Sequence, residues 1–130
     1  MNVDQAAIYE LIARYALTLD AGDIEQCVEL FADDGEFLVY GKSFVGHQGI
    51  GSMFREAPRG LHLTGVSRID VNGDTATARS QVLFVRADSH QLRPALYDDE
   101  LVRAGGDWRF RRRRCRFITA RGLSDSPEVP

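Results

Sequence analysis

A chain of 130 residues has room for one domain with one core and one ligand cavity. Its formal charge of -3 and pI near 5.6 argue against a nucleic-acid or anionic-membrane partner for the chain as a whole. The opening MNVDQAAIYE is acidic, unlike a signal peptide, and no apolar run approaches the roughly 18 residues of a membrane span, so a soluble, cytoplasmic protein is expected.

Ile8, Leu11, Ile12, Tyr15, Ala16 and Leu19 form the i, i+3, i+4, i+7 stripe of an amphipathic helix over about residues 4–20, closed by Asp20 and broken by Ala21-Gly22. Asp23 with Gln26 reads as the capping box of a second helix over roughly 24–32, and Ala32-Asp33-Asp34-Gly35 as a turn into the strand GEFLVY. After a short strand near Ser43 to Val45, HQGIGSMFREA predicts a third helix weakened by its two internal glycines. The segment GLHLTGVSRIDV, the turn Asn72-Gly73 and the segment DTATARSQVLFVRA predict a hairpin, since Asn-Gly suits a type I′ turn. Two further strands, about 94–103 and 108–120, flank the loop 104–107, and the tail GLSDSPEVP is polar and expected to fray. Helices followed by strands predict an α+β domain over 1–121, helices packed on one face of a curved antiparallel sheet, with 122–130 as tail. Cys27 and Cys115 lack a CxxC partner and are expected as free buried thiols.

WRFRRRRCRF places six arginines within residues 109–116. With a four-residue loop at 104–107, Arg103 faces Trp108, Leu101 faces Phe110, Glu100 faces Arg111, Asp99 faces Arg112 and Asp98 faces Arg113, so acids oppose arginines on a cross-paired sheet face. Alternation then puts Trp108, Phe110, Arg112 and Arg114 on one face, core at one end and polar pocket wall at the other.

Asp20 sits at the negative end of a helix macrodipole, which disfavours a carboxylate, and His62 opens a strand. A histidine brought alongside would favour that carboxylate, and an Asp-His pair in a closed pocket is a proton-transfer base. Only His47, His62 and His90 are present, without HxH or HExxH spacing, and the chain has neither a Gly-rich phosphate loop nor a G-x-S-x-G elbow. Cofactor-free and metal-free acid-base chemistry is therefore expected.

The segments ARYALTLDAGDIEQCVELFADDGEF, FVGHQGI, HLTGVSRIDVNGD and YDDELVRAGGDWRF are similar to the SnoaL-like proteins of the nuclear transport factor 2-like superfamily, over about residues 8–118. The resemblance implies a cone-shaped α+β barrel, three helices closing a curved sheet over one deep pocket, in a fold that carries dehydratases, isomerases, cyclases, epoxide hydrolases and non-catalytic binders. In site pattern the chain most resembles scytalone dehydratase and hexachlorocyclohexane dehydrochlorinase, whose catalytic aspartate and histidine Asp20 and His62 look like. Tyr40 falls where scytalone dehydratase has a water-binding tyrosine and Arg103 near an active-site arginine of the dehydrochlorinase. The second histidine of scytalone dehydratase lacks a clear counterpart, the nearest being His90 in a loop. Tyr15 and Asp99 fall where ketosteroid isomerases carry oxyanion donors, but Val39 stands at the position of their aspartate base, which argues against steroid-type isomerisation.

The expected activity is thus a dehydratase-like lyase or isomerase, with Asp20, His62 and Tyr40 catalytic. Tyr15, Phe37, Met53, Phe54, Val82, Phe84, Asp99, Arg103, Phe110 and Arg112 would bind a hydrophobic or aromatic ring substrate. The competing expectations are a polyketide cyclase, an epoxide hydrolase drawing on Asp98, Asp99 and Glu100, and a non-catalytic ligand-binding protein in which Asp20 and His62 point apart. A homodimer or homotrimer through the sheet face is expected.

Overall fold

The computed structural model describes residues 2–128. Helix α1 (Val3–Asp20) opens on a capping box in which the Asn2 side chain accepts the Gln5 backbone N–H and the Gln5 side chain accepts that of Asn2, and it buries Ile8, Leu11, Ile12 and Tyr15. Gly22, at φ 81, turns the chain into α2 (Ile24–Val28), capped by Asp23. This helix is shorter than the 24–32 expected. Strand β1 (Phe31–Val39) takes over at Phe31, which pairs with Phe110, while the Phe110 N–H donates to Leu30. The predicted turn at 32–35 lies inside β1 as an irregularity, where its register against the neighbouring strand shifts. Tertiary pairing outweighs the local helical pattern here.

Tyr40 and Gly41, both at positive φ, link β1 to β2 (Lys42–Val45). Helix α3 (Gly46–Glu56) follows, then β3 (Gly60–Thr64), β4 (Arg68–Asn72), β5 (Thr75–Arg86), β6 (Leu92–Ala104), β7 (Asp107–Thr119) and β8 (Gly122–Ser124). The run expected as one strand before Asn72 is two, β3 and β4, both paired with β5. The chain bulges between them, Gly65 donating to the Gln81 carbonyl and the Tyr9 hydroxyl of α1 to that of Ser67. The tail is not frayed throughout: Gly122 to Ser124 pair with β7.

The sheet order is β2-β1-β7-β6-β5-β3, with β4 also on β5 and β8 on β7, antiparallel except for the parallel pair β1 and β7. It is open, with β2 and β3 as its two ends. The expected α+β class, with helices first and a curved sheet behind them, is the observed one. Among the described residues no helix is long and apolar enough to cross a membrane.

The β6–β7 register departs from the simple hairpin in one place. Arg103 faces Trp108 and Leu101 faces Phe110 as expected, but the register then shifts, so Glu100 faces Arg112, Asp99 faces Arg113 and Asp98 faces Arg114. The extra residue, Arg111, is a β-bulge, and it reverses inside and outside for everything after it. Arg113, Cys115 and Phe117 point inward and are buried, while Arg112 and Arg114 face out, which corrects the expected face. Arg113 is 1% exposed, its Nε 3.0 Å from Asp99 and its guanidinium carbon 4.1 Å from the Tyr15 ring, 4.4 Å from Tyr97 and 4.7 Å from Phe110. The outer face divides in two. Asp98 there binds Arg79 at 2.7 Å and Arg116 at 2.6 Å, whereas Leu61, Leu63, Leu92, Ile118 and Leu123 form an exposed apolar end.

The strand that carries His62 starts at Gly60, which lies against β5. A Cβ there would stand 2.1 Å from the Val85 carbonyl oxygen and 2.8 Å from the Phe84 ring. Gly60→Ala is therefore expected to destabilise the protein by about 2 to 4 kcal/mol through overpacking against backbone, measured as a lowered urea midpoint; an unchanged midpoint contradicts the close approach.

Candidate active site

A cavity of about 80 Å³ opens between the C-terminal turn of α1, α3 and the concave face of the sheet. Phe37, Met53, Phe54, Val82, Phe84 and Phe117 make its walls largely apolar. It is smaller than the roughly 150 Å³ hollow that holds a benzene ring, so a ring ligand requires side chains at the open end to yield.

Asp20 and His62 meet at its wall. The Asp20 carboxylate accepts two bonds from one residue: Oδ1 from the His62 ring Nδ1 at 2.6 Å, and Oδ2 from the His62 backbone N–H at 2.7 Å. The side chains are 18% and 13% exposed. An acceptor at Nδ1 puts the proton there and leaves the Nε2 lone pair available as a base. The imidazole also lies 4.7 Å from the Phe84 ring and edge-on to Tyr15 at 6.1 Å, so orientation and tautomer are both set. Asp20 is the one carboxylate on the cavity wall among the described residues.

Tyr40 sits at the open end at φ 58, stacked on Phe117 at 5.4 Å, its hydroxyl accepting from Arg93 Nη1 at 3.4 Å. Tyr15 and Tyr97 line the interior. Burial holds both hydroxyls protonated well above the usual tyrosine range, against the pull of Arg113, so both serve as O–H donors. Burial likewise pushes the thiols of Cys115, on the wall, and Cys27, behind it, up to about 11, which keeps them from acting as thiolate nucleophiles.

Tyr15, Phe37, Met53, Phe54, Val82 and Phe84 are on the wall with the dyad and Tyr40. Four residues expected there are elsewhere. Arg112 is turned outward by the bulge and lies 3.4 Å from Glu36. Arg103 is at the far end of the β6–β7 hairpin, bound to Asp4 and Asp74. Phe110 is fully buried in the core against Phe31, and Asp99 lies behind the wall beside Arg113. The carboxylates that a hydrolase would need are not gathered at the cavity, since Asp98 and Glu100 face outward. His90 occupies the β5–β6 turn at φ 59. Sequence reasoning missed Tyr97, Arg93, Arg59, Cys115 and Phe117, all on the wall. Alternation along β6 from inward Leu101 points to Tyr97, whereas the β7 residues were hidden by the bulge. Among the described residues no group of three or more His, Cys, Asp or Glu is placed to hold a metal ion.

The family model for the SnoaL-like domain matches residues 3–114. No curated protein matches the chain. Among solved structures, a protein of unknown function from Mycobacterium tuberculosis is 31% identical, with a TM-score of 0.80 over 88% of this chain and 72% of that one. An NTF2-like protein with a cystatin-like fold from Novosphingobium aromaticivorans is 30% identical, with a TM-score of 0.81 over 92% and 86%. A putative scytalone dehydratase from the same organism is 25% identical, with a TM-score of 0.79 over 98% and 90%.

Burial pushes the Asp99 carboxyl from 3.8 up to about 6, with Arg113 opposing. Between about pH 4 and 6 the native protein therefore holds a proton that the unfolded chain has released, so this group's contribution falls as pH rises through that window, by on the order of 3 kcal/mol at most, and is flat above it. Asp99→Asn removes the titration. The stability difference between wild type and variant, from urea unfolding at several pH values, is expected to shift against the wild type from pH 4 to 6.5; a constant difference contradicts the assignment.

Proposed function

The chain belongs to the SnoaL-like domain family, and on that premise we propose that it is a cofactor-independent lyase or isomerase acting on a hydrophobic ring compound, with His62 as the base and Asp20 as the group that holds it. The observation that carries this reading is the pair of hydrogen bonds that the Asp20 carboxylate accepts from His62, which leaves Nε2 as the free ring nitrogen at an apolar cavity. Two solved relatives of the fold point the same way: the putative scytalone dehydratase and, at 20% identity, a hexachlorocyclohexane dehydrochlorinase.

In this mechanism Nε2 takes a proton from a ring carbon next to a carbonyl or to the carbon bearing the leaving group. The C–H electron pair becomes the new double bond or enolate, and the imidazolium stays bonded through Nδ1 to the Asp20 carboxylate, which stabilises its charge. A hydroxyl donor, Tyr40 at the open end or Tyr15 or Tyr97 inside, polarises the carbonyl or hydrogen-bonds the departing hydroxide. An epoxide hydrolase would want a carboxylate cluster, and among the described residues Asp20 is the one carboxylate at the cavity.

The test is proton exchange and turnover on a panel of hydroxylated ring ketones in D₂O, followed by NMR. His62→Ala is expected to abolish both. Asp20→Asn keeps one of the two bonds, its amide oxygen accepting from the ring while its NH2 faces the His62 backbone N–H, so it should fold with lowered stability and lose about 10²- to 10⁴-fold in rate because it cannot stabilise the imidazolium. Full turnover in His62→Ala would overturn the mechanism.

The outer sheet face is proposed to pair with a second copy, its apolar end supplying dry contact and its alternating Asp98, Arg114 and Arg116 supplying charges that complement themselves across a two-fold axis. Sedimentation should show a dimer at high micromolar concentration; a monomer or a trimer there rejects this assembly.

A further inference from the structure

The cavity carries charge that the dyad does not use. Arg93 and Arg59 both line it, and neither has an ion-pair partner among the described residues. The one acid on the wall, Asp20, is already committed to His62. The space is therefore electropositive within apolar walls, where a charge is felt most strongly.

Arg93 is arranged for one kind of group. Its Nη1 donates to the Tyr40 hydroxyl, and its Nε is buried with no protein partner. The unpartnered edge is thus Nε–H with Nη2–H, the edge that grips a carboxylate side-on with two parallel bonds; Nε is closed off from the cavity, so a ligand reaches it only as the side chains at the open end yield. A buried N–H without an acceptor is unfavourable as it stands, and a bound carboxylate would remove that cost. Arg59 lies across the opening against Gly22, where a Cβ would come 2.5 Å from its Nη2.

Register fixes how far this edge is from the base. His62 pairs with Phe84 and Phe84 with Arg93, so the three share the concave face in one row across β3, β5 and β6. Two strand spacings separate the ends of that row, roughly 10 Å between Cα atoms. We propose that the ligand of this cavity carries a carboxylate, gripped by Arg93 beside the Tyr40 hydroxyl with Arg59 across the opening, while its ring extends along the row over Phe84 to His62. This deepens the reading above in naming the substrate class, a ring compound with an acidic arm, and rests on it only for which end reacts.

The experiment is calorimetric titration at pH 7.5 with cinnamate and with cinnamamide, which has nearly the same shape and no charge. Wild type is expected to bind cinnamate at least tenfold more tightly. Arg93→Met, which keeps the apolar stem, should bring cinnamate to within about twofold of the amide while leaving the amide's affinity unchanged, the latter showing that the cavity is intact. Arg59→Met should narrow the preference by less. Equal binding of the two compounds by wild type, a preference that survives Arg93→Met, or no binding of either at millimolar concentration would each overturn the proposal. His62→Ala separates the two readings: it should abolish turnover and keep the carboxylate preference. Turnover that needs His62 in a protein without the preference would refute the acidic arm alone, and a preference in a protein whose turnover ignores His62 would refute the dyad alone.

Discussion

One extra residue in one strand governs the interior of this protein. Without the bulge at Arg111, strict alternation would send Arg112 and Arg114 inward and turn Cys115 and Phe117 out to solvent. With it, Trp108 and Phe110 serve the core before the bulge, and Arg113, Cys115 and Phe117 serve the interior and the cavity wall after it. A bulge also adds local twist, which suits a sheet that curls around helices. The same residue that disrupts the ladder thus sets the inner surface of β7.

The consequence is a buried cation behind the cavity. Arg113 would be costly alone, and the fold answers with three aromatic faces and the Asp99 carboxylate. Neither carboxylate oxygen of Asp99 makes a well-aligned hydrogen bond, so the compensation is one of proximity rather than of directed bonds, consistent with burial raising that carboxyl even beside a guanidinium. Tyr15 and Tyr97, which both pack against Arg113, also line the cavity, and so the cation's field reaches the space where a ligand would sit.

At the opposite wall the helix end and the strand start are joined by Asp20. By bonding both the ring and the main chain of His62, this carboxylate does more than orient a side chain: it fixes the edge strand β3 relative to α1. Gly60, pressed on β5 two residues earlier, holds the same strand from its other side. Structural support and chemical poise therefore share the same atoms, which is how a small domain keeps a polar pair ordered in an apolar pocket.

The chain by itself determined what depends on local period and local turn chemistry: the apolar stripe of α1 and its end at Asp20, the strand after α3 that starts near His62, the Asn72-Gly73 turn, and hence an α+β domain with an acid and a histidine at matching ends. The apolar wall from Phe37 to Phe84 was legible for the same reason, since each residue sits on a strand or helix whose face is set by its neighbours. Tertiary structure alone decided the rest. Where α2 stops depends on the pairing of Phe31 with Phe110, more than half the length of the chain away. Which arginine of the run from Arg111 to Arg114 is buried depends on a bulge, and a strand of near-identical side chains carries no periodic mark to locate it. Arg93 joins His62 only through the registers of two successive strand pairs, each fixed by turns and contacts outside its own segment. Periodicity records which face a residue shares with its neighbours, whereas register records which distant residues share that face with it, and only packing sets register.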